Sequence, residues 1–180
     1  MDTFITAARN VGAEVFTAED VAAACTYISQ RTSGKVLVPT QASLERAGLP
    51  DALRQQVEVL GSFDRQQAEA AGAGVTGANF AIAETGTIAL ESTPEAVRLA
   101  TTLPTRHFVL LDPQKIVADG NAAIPHLRKL HEQGPRNFLA YITGPSRTAD
   151  IERVLTIGVH GPKELHIILL ANLSNDFLES

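Results

Sequence analysis

Phe108-Val109-Leu110-Leu111, closed by Asp112-Pro113, is the stretch that decides the fold. An unbroken apolar run with no polar alternation reads as a strand covered on both faces, as in parallel sheets sandwiched by helices. Upstream, Ser92-Thr93-Pro94-Glu95 opens a helix. Either Thr93 is its cap with Pro94 at the first helical position, or Ser92 and Glu95 form a capping box. That helix ends before Pro104. Downstream, Ile124, Leu127 and Leu130 recur at helical spacing within Asn121 to Gln133, and strands follow over Asn137 to Thr143 and Leu165 to Leu170.

Toward the N-terminus, Thr17-Ala18-Glu19-Asp20 reads as a capping-box-like helix start, with Thr17 at the cap. Val21, Ala24, Cys25 and Ile28 then line one face, and Gly34 marks the stop. Strands over Lys35 to Val38, Val57 to Leu60 and Gly72 to Thr76 alternate with helices over Gln41 to Ala47 and Asp64 to Ala71. Residues 1–16 read as a short helical or loose lead-in. Strands alternating with helices predict an α/β fold: a Rossmann-like, mainly parallel sheet flanked by helices, with 1–180 as a single domain.

With 180 residues, 44% of them hydrophobic, the chain can bury one good core. A net charge of -5 argues against a nucleic-acid partner, because phosphate neutralisation needs a basic face. No apolar run is long enough for a membrane span, and Met1-Asp2-Thr3-Phe4 lacks the pattern of a signal peptide. The expected location is the cytoplasm. Cys25 alone builds neither a disulfide nor an iron–sulfur cluster, and its place on an apolar stripe reads as core. His126 and His131 lie five apart, off a common helix face, and no metal-ligand motif is present, so no metal or cofactor is expected on this chain.

Three polar segments stand out. In Phe80-Ala81-Ile82-Ala83-Glu84-Thr85-Gly86-Thr87-Ile88-Ala89-Leu90, apolar strands flank a turn that holds a carboxylate, hydroxyls and a glycine, with Asn79 just before it. Packing requires no such turn, whereas ligand sites use these groups. The strand ending at Ile142 runs into Thr143-Gly144-Pro145-Ser146-Arg147-Thr148-Ala149-Asp150-Ile151-Glu152. That loop offers hydroxyls and backbone N–H groups to a phosphate or carboxylate, with Arg147 as a bidentate partner; equally, Ser146 or Thr148 caps a helical turn with Asp150 and Glu152 near its positive end. Gly158-Val159-His160-Gly161-Pro162 places a histidine in a turn, as an acid/base group or as a lock on the turn itself. His166 reads as structural, and Arg106 and His107 as surface residues.

Taken in order and spacing, Ala83-Glu84-Thr85-Gly86-Thr87, Ile142-Thr143-Gly144-Pro145-Ser146 with Ala149-Asp150-Ile151-Glu152, and Gly158-Val159-His160-Gly161-Pro162 resemble the signature of the LUD-domain family. The resemblance runs from about Gly34 to Leu170. It implies a fold akin to the ribose-phosphate isomerase, glucosamine-phosphate deaminase and CoA-transferase superfamily. It also implies a part in oxidising L-lactate to pyruvate, alongside iron–sulfur partner proteins. The site it suggests has Glu84, Thr85, Gly86 and Thr87 on one wall, Gly144, Ser146, Arg147 and Asp150 on another, and His160 and Gly161 closing it over a small carboxylate or phosphate. The alternative is an independent enzyme acting on a sugar phosphate or acyl-CoA, with Glu84 as base or nucleophile and His160 as acid.

Overall fold

The computed structural model describes residues 1–132, 138–148, 156–158 and 160–179. Its centre is a six-stranded sheet built from β1 (Glu14–Ala18), β2 (Val36–Leu37), β3 (Val59–Leu60), β4 (Ala73–Gly77), β7 (Arg106–Leu111) and β12 (Glu164–Leu170), in the order β1-β12-β7-β4-β2-β3. Every pairing in it is parallel, for example Val109 against Ile167 and Thr76. A second sheet, β8-β5-β6-β9, joins β5 (Phe80–Ile82), β6 (Thr87–Glu91), β8 (Ile116–Val117) and β9 (Leu139–Ile142). There β6 runs antiparallel to both β5 and β9.

The unbroken apolar run in β7 faces two cores. Phe108 and Leu110 point to one side with Ile168, where α2 (Val21–Gln30), α3 (Ala42–Arg46) and α4 (Leu49–Arg54) supply Ile28, Leu44 and Leu53. Val109 and Leu111 point to the other with Ile167 and Leu169, against Phe4 and Ala8 of α1 (Asp2–Asn10) and Ile88 of the second sheet. Full burial of each such side chain is worth about 1.5–3 kcal/mol, so β7 and β12 anchor the fold. Beyond β2 and β4, α5 (Arg65–Ala70) and α6 (Glu95–Thr102) pack Ala68 and Ala100 on Leu37. The outer face of the second sheet is covered by α7 (Gly120–Glu132), through Ala123 and Leu130.

Several sequence expectations are corrected. Thr17 and Ala18 belong to β1, paired with Leu169 and Leu170, and the cap of α2 is Asp20, whose carboxylate accepts from Ala23 N at 2.7 Å. An extended backbone at Asp20, with φ -152°, puts its carboxylate over the first turn and leaves Thr17 free to extend the sheet. The lead-in over 1–16 is helix α1 followed by most of β1. At α6 the cap is Pro94, with no side-chain cap, because Thr93 Oγ1 is taken up in accepting from Phe138 N at 2.9 Å. His107 is not a surface residue: β7 begins at Arg106, and alternation carries His107 onto the buried face of Val109. Finally, β9 lies in the second sheet, so the loop after Ile142 leaves an antiparallel strand rather than one of the central parallel sheet.

Candidate functional site

Two of the polar segments meet. The loop after β9 leads into β10 (Arg147–Thr148), which pairs antiparallel with β11 (Thr156–Ile157), and the chain then turns through Gly158 and His160-Gly161-Pro162 into β12. Ser146 N donates to the carbonyl of Pro162 at 2.9 Å, and Gly158 N donates to the carbonyl of Ser146 at 2.9 Å. These bonds fix the two loops side by side. Gly161 holds φ +142°, and a Cβ there would lie 3.0 Å from Ser146 Cβ, so glycine permits this approach.

Between the loops lies a cleft of about 490 Å³ lined by Thr143, Gly144, Ser146, Arg147, His160 and Gly161. His160 and Arg147 are exposed and Ser146 is half-buried. One guanidinium nitrogen of Arg147, Nη2, donates to the carbonyl of Val11 at the end of α1, which anchors the guanidinium. Its remaining N–H groups are suited to a carboxylate or phosphate.

His107, absent from the sequence reading of the site, reaches the floor of the same cleft. Its Nε2 sits 2.8 Å from Thr76 Oγ1. Burial, with a smaller contribution from nearby His166, pushes its pKa down to about 3, so the ring is a neutral hydrogen-bonding group at ordinary pH. The signal was the period of β7, which places His107, Val109 and Leu111 on one face. His166 lies on the opposite face, stacked on Phe108 with ring centroids 4.6 Å apart and with Nδ1 3.1 Å from the Tyr27 hydroxyl.

The Glu84 turn approaches this region only through its hydroxyls. Thr85 Oγ1 lies 2.6 Å from Thr87 Oγ1, which lies 2.9 Å from Thr143 Oγ1, giving a hydroxyl chain from the turn to the rim of the cleft. Glu84 itself is exposed, its N–H donating to the carbonyl of Ala118 at 3.1 Å, and it is not among the residues that line the cleft with His160. Gly86 has a different task. Its φ is +67°, and a Cβ would meet Ala8 N at 2.3 Å, so it admits α1. Gly144, with φ +79°, would likewise bring a Cβ to 2.2 Å from Val11 O. Asn79 is buried elsewhere, its Nδ2 donating to the Phe177 carbonyl at 2.8 Å and its Oδ1 accepting from Glu91 N at 2.6 Å. Asp150 lies outside the described residues.

Comparison with known proteins places this geometry in a family. The LUD domain profile matches residues 1–170. The chain is 41% identical over 98 residues to an uncharacterised protein of Neisseria meningitidis, covering 54% of this chain and 42% of that one. It is 30% identical over 158 residues to Lactate utilization protein C of Bacillus subtilis, covering 81% of this chain and 66% of that one. The chain thus spans under two thirds of the length of both relatives. Lactate utilization protein C of Anoxybacillus flavithermus is 33% identical over 150 residues, with coverage of 81% and 67%. A crystal structure of a DUF162 family protein from Deinococcus radiodurans shares the fold, with a TM-score of 0.67 at 22% identity over 94% of this chain and 95% of that one. The chain belongs to the LUD-domain family.

Proposed function

We propose that this chain serves L-lactate utilisation as an accessory, ligand-binding subunit, working beside iron–sulfur proteins in the oxidation of lactate to pyruvate. Its similarity to proteins named Lactate utilization protein C, over 81% of its length, supports the process. The observation that carries the site is the convergence of Arg147, Ser146, Thr143 and His160 on one cleft. A guanidinium pairs with the carboxylate of a small acid, and the hydroxyls and imidazole reach its hydroxyl or keto oxygen. Oxidation of lactate releases an electron pair that needs an acceptor, and a chain with Cys25 as its sole cysteine lacks the thiolates to hold a cluster. Partner proteins carry the electrons in this reading. At about 490 Å³ and open to solvent, the cleft is far roomier than a three-carbon acid requires, which suits substrate handling next to a partner better than a sealed reaction chamber.

The test is lactate-dependent dye reduction in extracts of a strain lacking this protein, with the purified protein added back. Restored reduction is expected. Undiminished rates in the extract without it would overturn the proposal.

A further inference from the structure

The carboxyl edge of the central sheet carries a second polar site, remote in sequence from the first. From β2 the chain winds outward to β3, whereas from β4 it winds the other way to β7, so the winding reverses between the ends of β2 and β4. Open α/β sheets bind ligands in the crevice at such a reversal. Here the crevice, of about 280 Å³, is lined by Gln41, Asn79 and Glu179 among others. Glu179 enters it from the segment after β12, which crosses over the sheet edge. That segment is tied down by Ser174 N on Asp112 Oδ2 at 3.1 Å and by Phe177 stacked on His126 at 3.7 Å between centroids.

Glu179 lines the crevice, and its carboxylate is held as a bound acid would be by Lys115 and Ser43, neither of which lines the crevice itself. One oxygen pairs with Lys115 Nζ, and the other accepts from Ser43 N at 3.2 Å. Lys115 is 1% exposed and also donates to the Ala78 carbonyl at 3.1 Å. A Cβ on Gly77 would stand 2.7 Å from Ser43 Oγ and 3.5 Å from Glu179 Oε2, so a bare backbone keeps the room. Two features set this arrangement apart from a plain structural bridge. Ser43 Oγ, fully buried beside the carboxylate, finds no hydrogen-bond partner among the described residues. Glu179 also holds a left-handed backbone, with φ +56°, a conformation unfavourable for a non-glycine residue. A buried ion pair returns little net stability against the desolvation of both charges, so stability alone does not account for it.

We propose that this crevice binds a small organic acid whose carboxylate replaces the Glu179 side chain between Lys115 and Ser43. A polar substituent of the acid reaches Ser43 Oγ, and the segment 171–179 lifts as the acid enters. The site stands apart from the cleft at His160 and does not depend on the function assigned to that cleft. Glu179 acts as a tethered competitor, and apparent affinity is reduced to the fraction of time it leaves the crevice free.

The experiment titrates L-lactate, propionate and inorganic phosphate into the wild-type chain and Glu179→Gln by calorimetry, with hydrogen exchange followed over 171–179. Glu179→Gln is expected to bind L-lactate at least about tenfold more tightly than wild type, as an occupancy above nine-tenths requires. L-Lactate should speed exchange of the segment in wild type, and Ser43→Ala in the Glu179→Gln background should erase the preference for lactate over propionate. Adding Lys115→Met to Glu179→Gln should abolish binding, and the pair leaves no lone buried charge to unfold the protein. The proposal is overturned if Glu179→Gln, folded by its circular dichroism, binds neither acid, if L-lactate leaves exchange of 171–179 unchanged in wild type, if adding Lys115→Met leaves binding intact, or if phosphate binds in preference to both acids. Binding that disappears with His160→Ala would place the acid in the other cleft and overturn it equally.

Discussion

Replacing Gly144 by alanine tests whether the loop of the cleft is built on α1. At Gly144 φ is +79°, a region that costs a residue with a Cβ about 1–2 kcal/mol. The added methyl would stand 2.2 Å from Val11 O and 3.2 Å from Val11 C, a backbone collision that moves only if α1 moves. Overpacking of this kind costs about 1–3 kcal/mol. The alanine also stiffens the unfolded chain, which returns about 0.4–1 kcal/mol. The net expectation is a loss of about 3 kcal/mol. Gly34→Ala is the control: its φ is +87°, but nothing lies within 4 Å of its Cβ, so only the backbone cost remains, about 1 kcal/mol after the same offset. Urea unfolding of both variants, with equal slopes, measures the difference. Because Val11 O also accepts from Arg147 Nη2, Gly144→Ala should disturb the cleft as well as the core. Equal losses for the two variants would refute the close approach of Val11 and, with it, the view that this glycine serves packing rather than a ligand.

Further predictions rest on single groups. Leu110, fully buried in β7, should cost about 2–5 kcal/mol when truncated to alanine, and a loss below about 1 kcal/mol by urea unfolding would mean that its burial is wrong. His107 stays neutral in the folded chain down to about 3, whereas its unfolded counterpart titrates near 6.5. Between those values the unfolded state binds the extra proton, so the stability contributed by this residue is present above about 6.5 and drains away as pH falls toward about 3. Unfolding midpoints measured across that window should therefore fall less steeply in His107→Gln than in wild type, and parallel profiles would remove the burial argument. Burial pushes the Cys25 thiol up to about 11, so an aromatic disulfide reagent at neutral pH should label it only as the chain unfolds, and rapid labelling of the native protein would contradict its place in the core.

The architecture was legible where one residue pattern spoke without a competitor. The run at Phe108 announced a doubly covered strand, and the helix expected from Asp64 to Ala71 is α5. It was illegible where a local signal was shared. Thr17 to Asp20 satisfies both a strand end and a helix start, and only pairing with β12 decides between them. Gly48, left-handed with φ +66° just past the C-cap of α3, is also the cap of α4, whose Pro50 lies in the first turn. Which sheet receives β9 depends on contacts distant in sequence, as does the filling of the switch-point crevice by Glu179. Residue types singled out the loop at Ser146 and the turn at His160, because hydroxyls and an imidazole among glycines have little packing value, and the structure sets the two side by side on one cleft. Gly86 and Gly144 also admit α1, a contact no spacing rule contains, while Gly144 lines the cleft as well. Glu84 was prominent because a carboxylate between apolar strands is unusual, but the turn simply exposes it.

In the proposed function, the cleft at His160 rather than the carboxylate of the Glu84 turn serves lactate utilisation. This is tested by adding wild type, His160→Gln and Glu84→Gln separately to extracts lacking the protein and measuring lactate-dependent dye reduction. Both positions are exposed, so neither substitution should unfold the chain. Restoration is expected from wild type and Glu84→Gln, and a loss of at least about tenfold from His160→Gln, as for a lost acid/base or hydrogen-bonding group. Full restoration by His160→Gln together with failure of Glu84→Gln would contradict this reading.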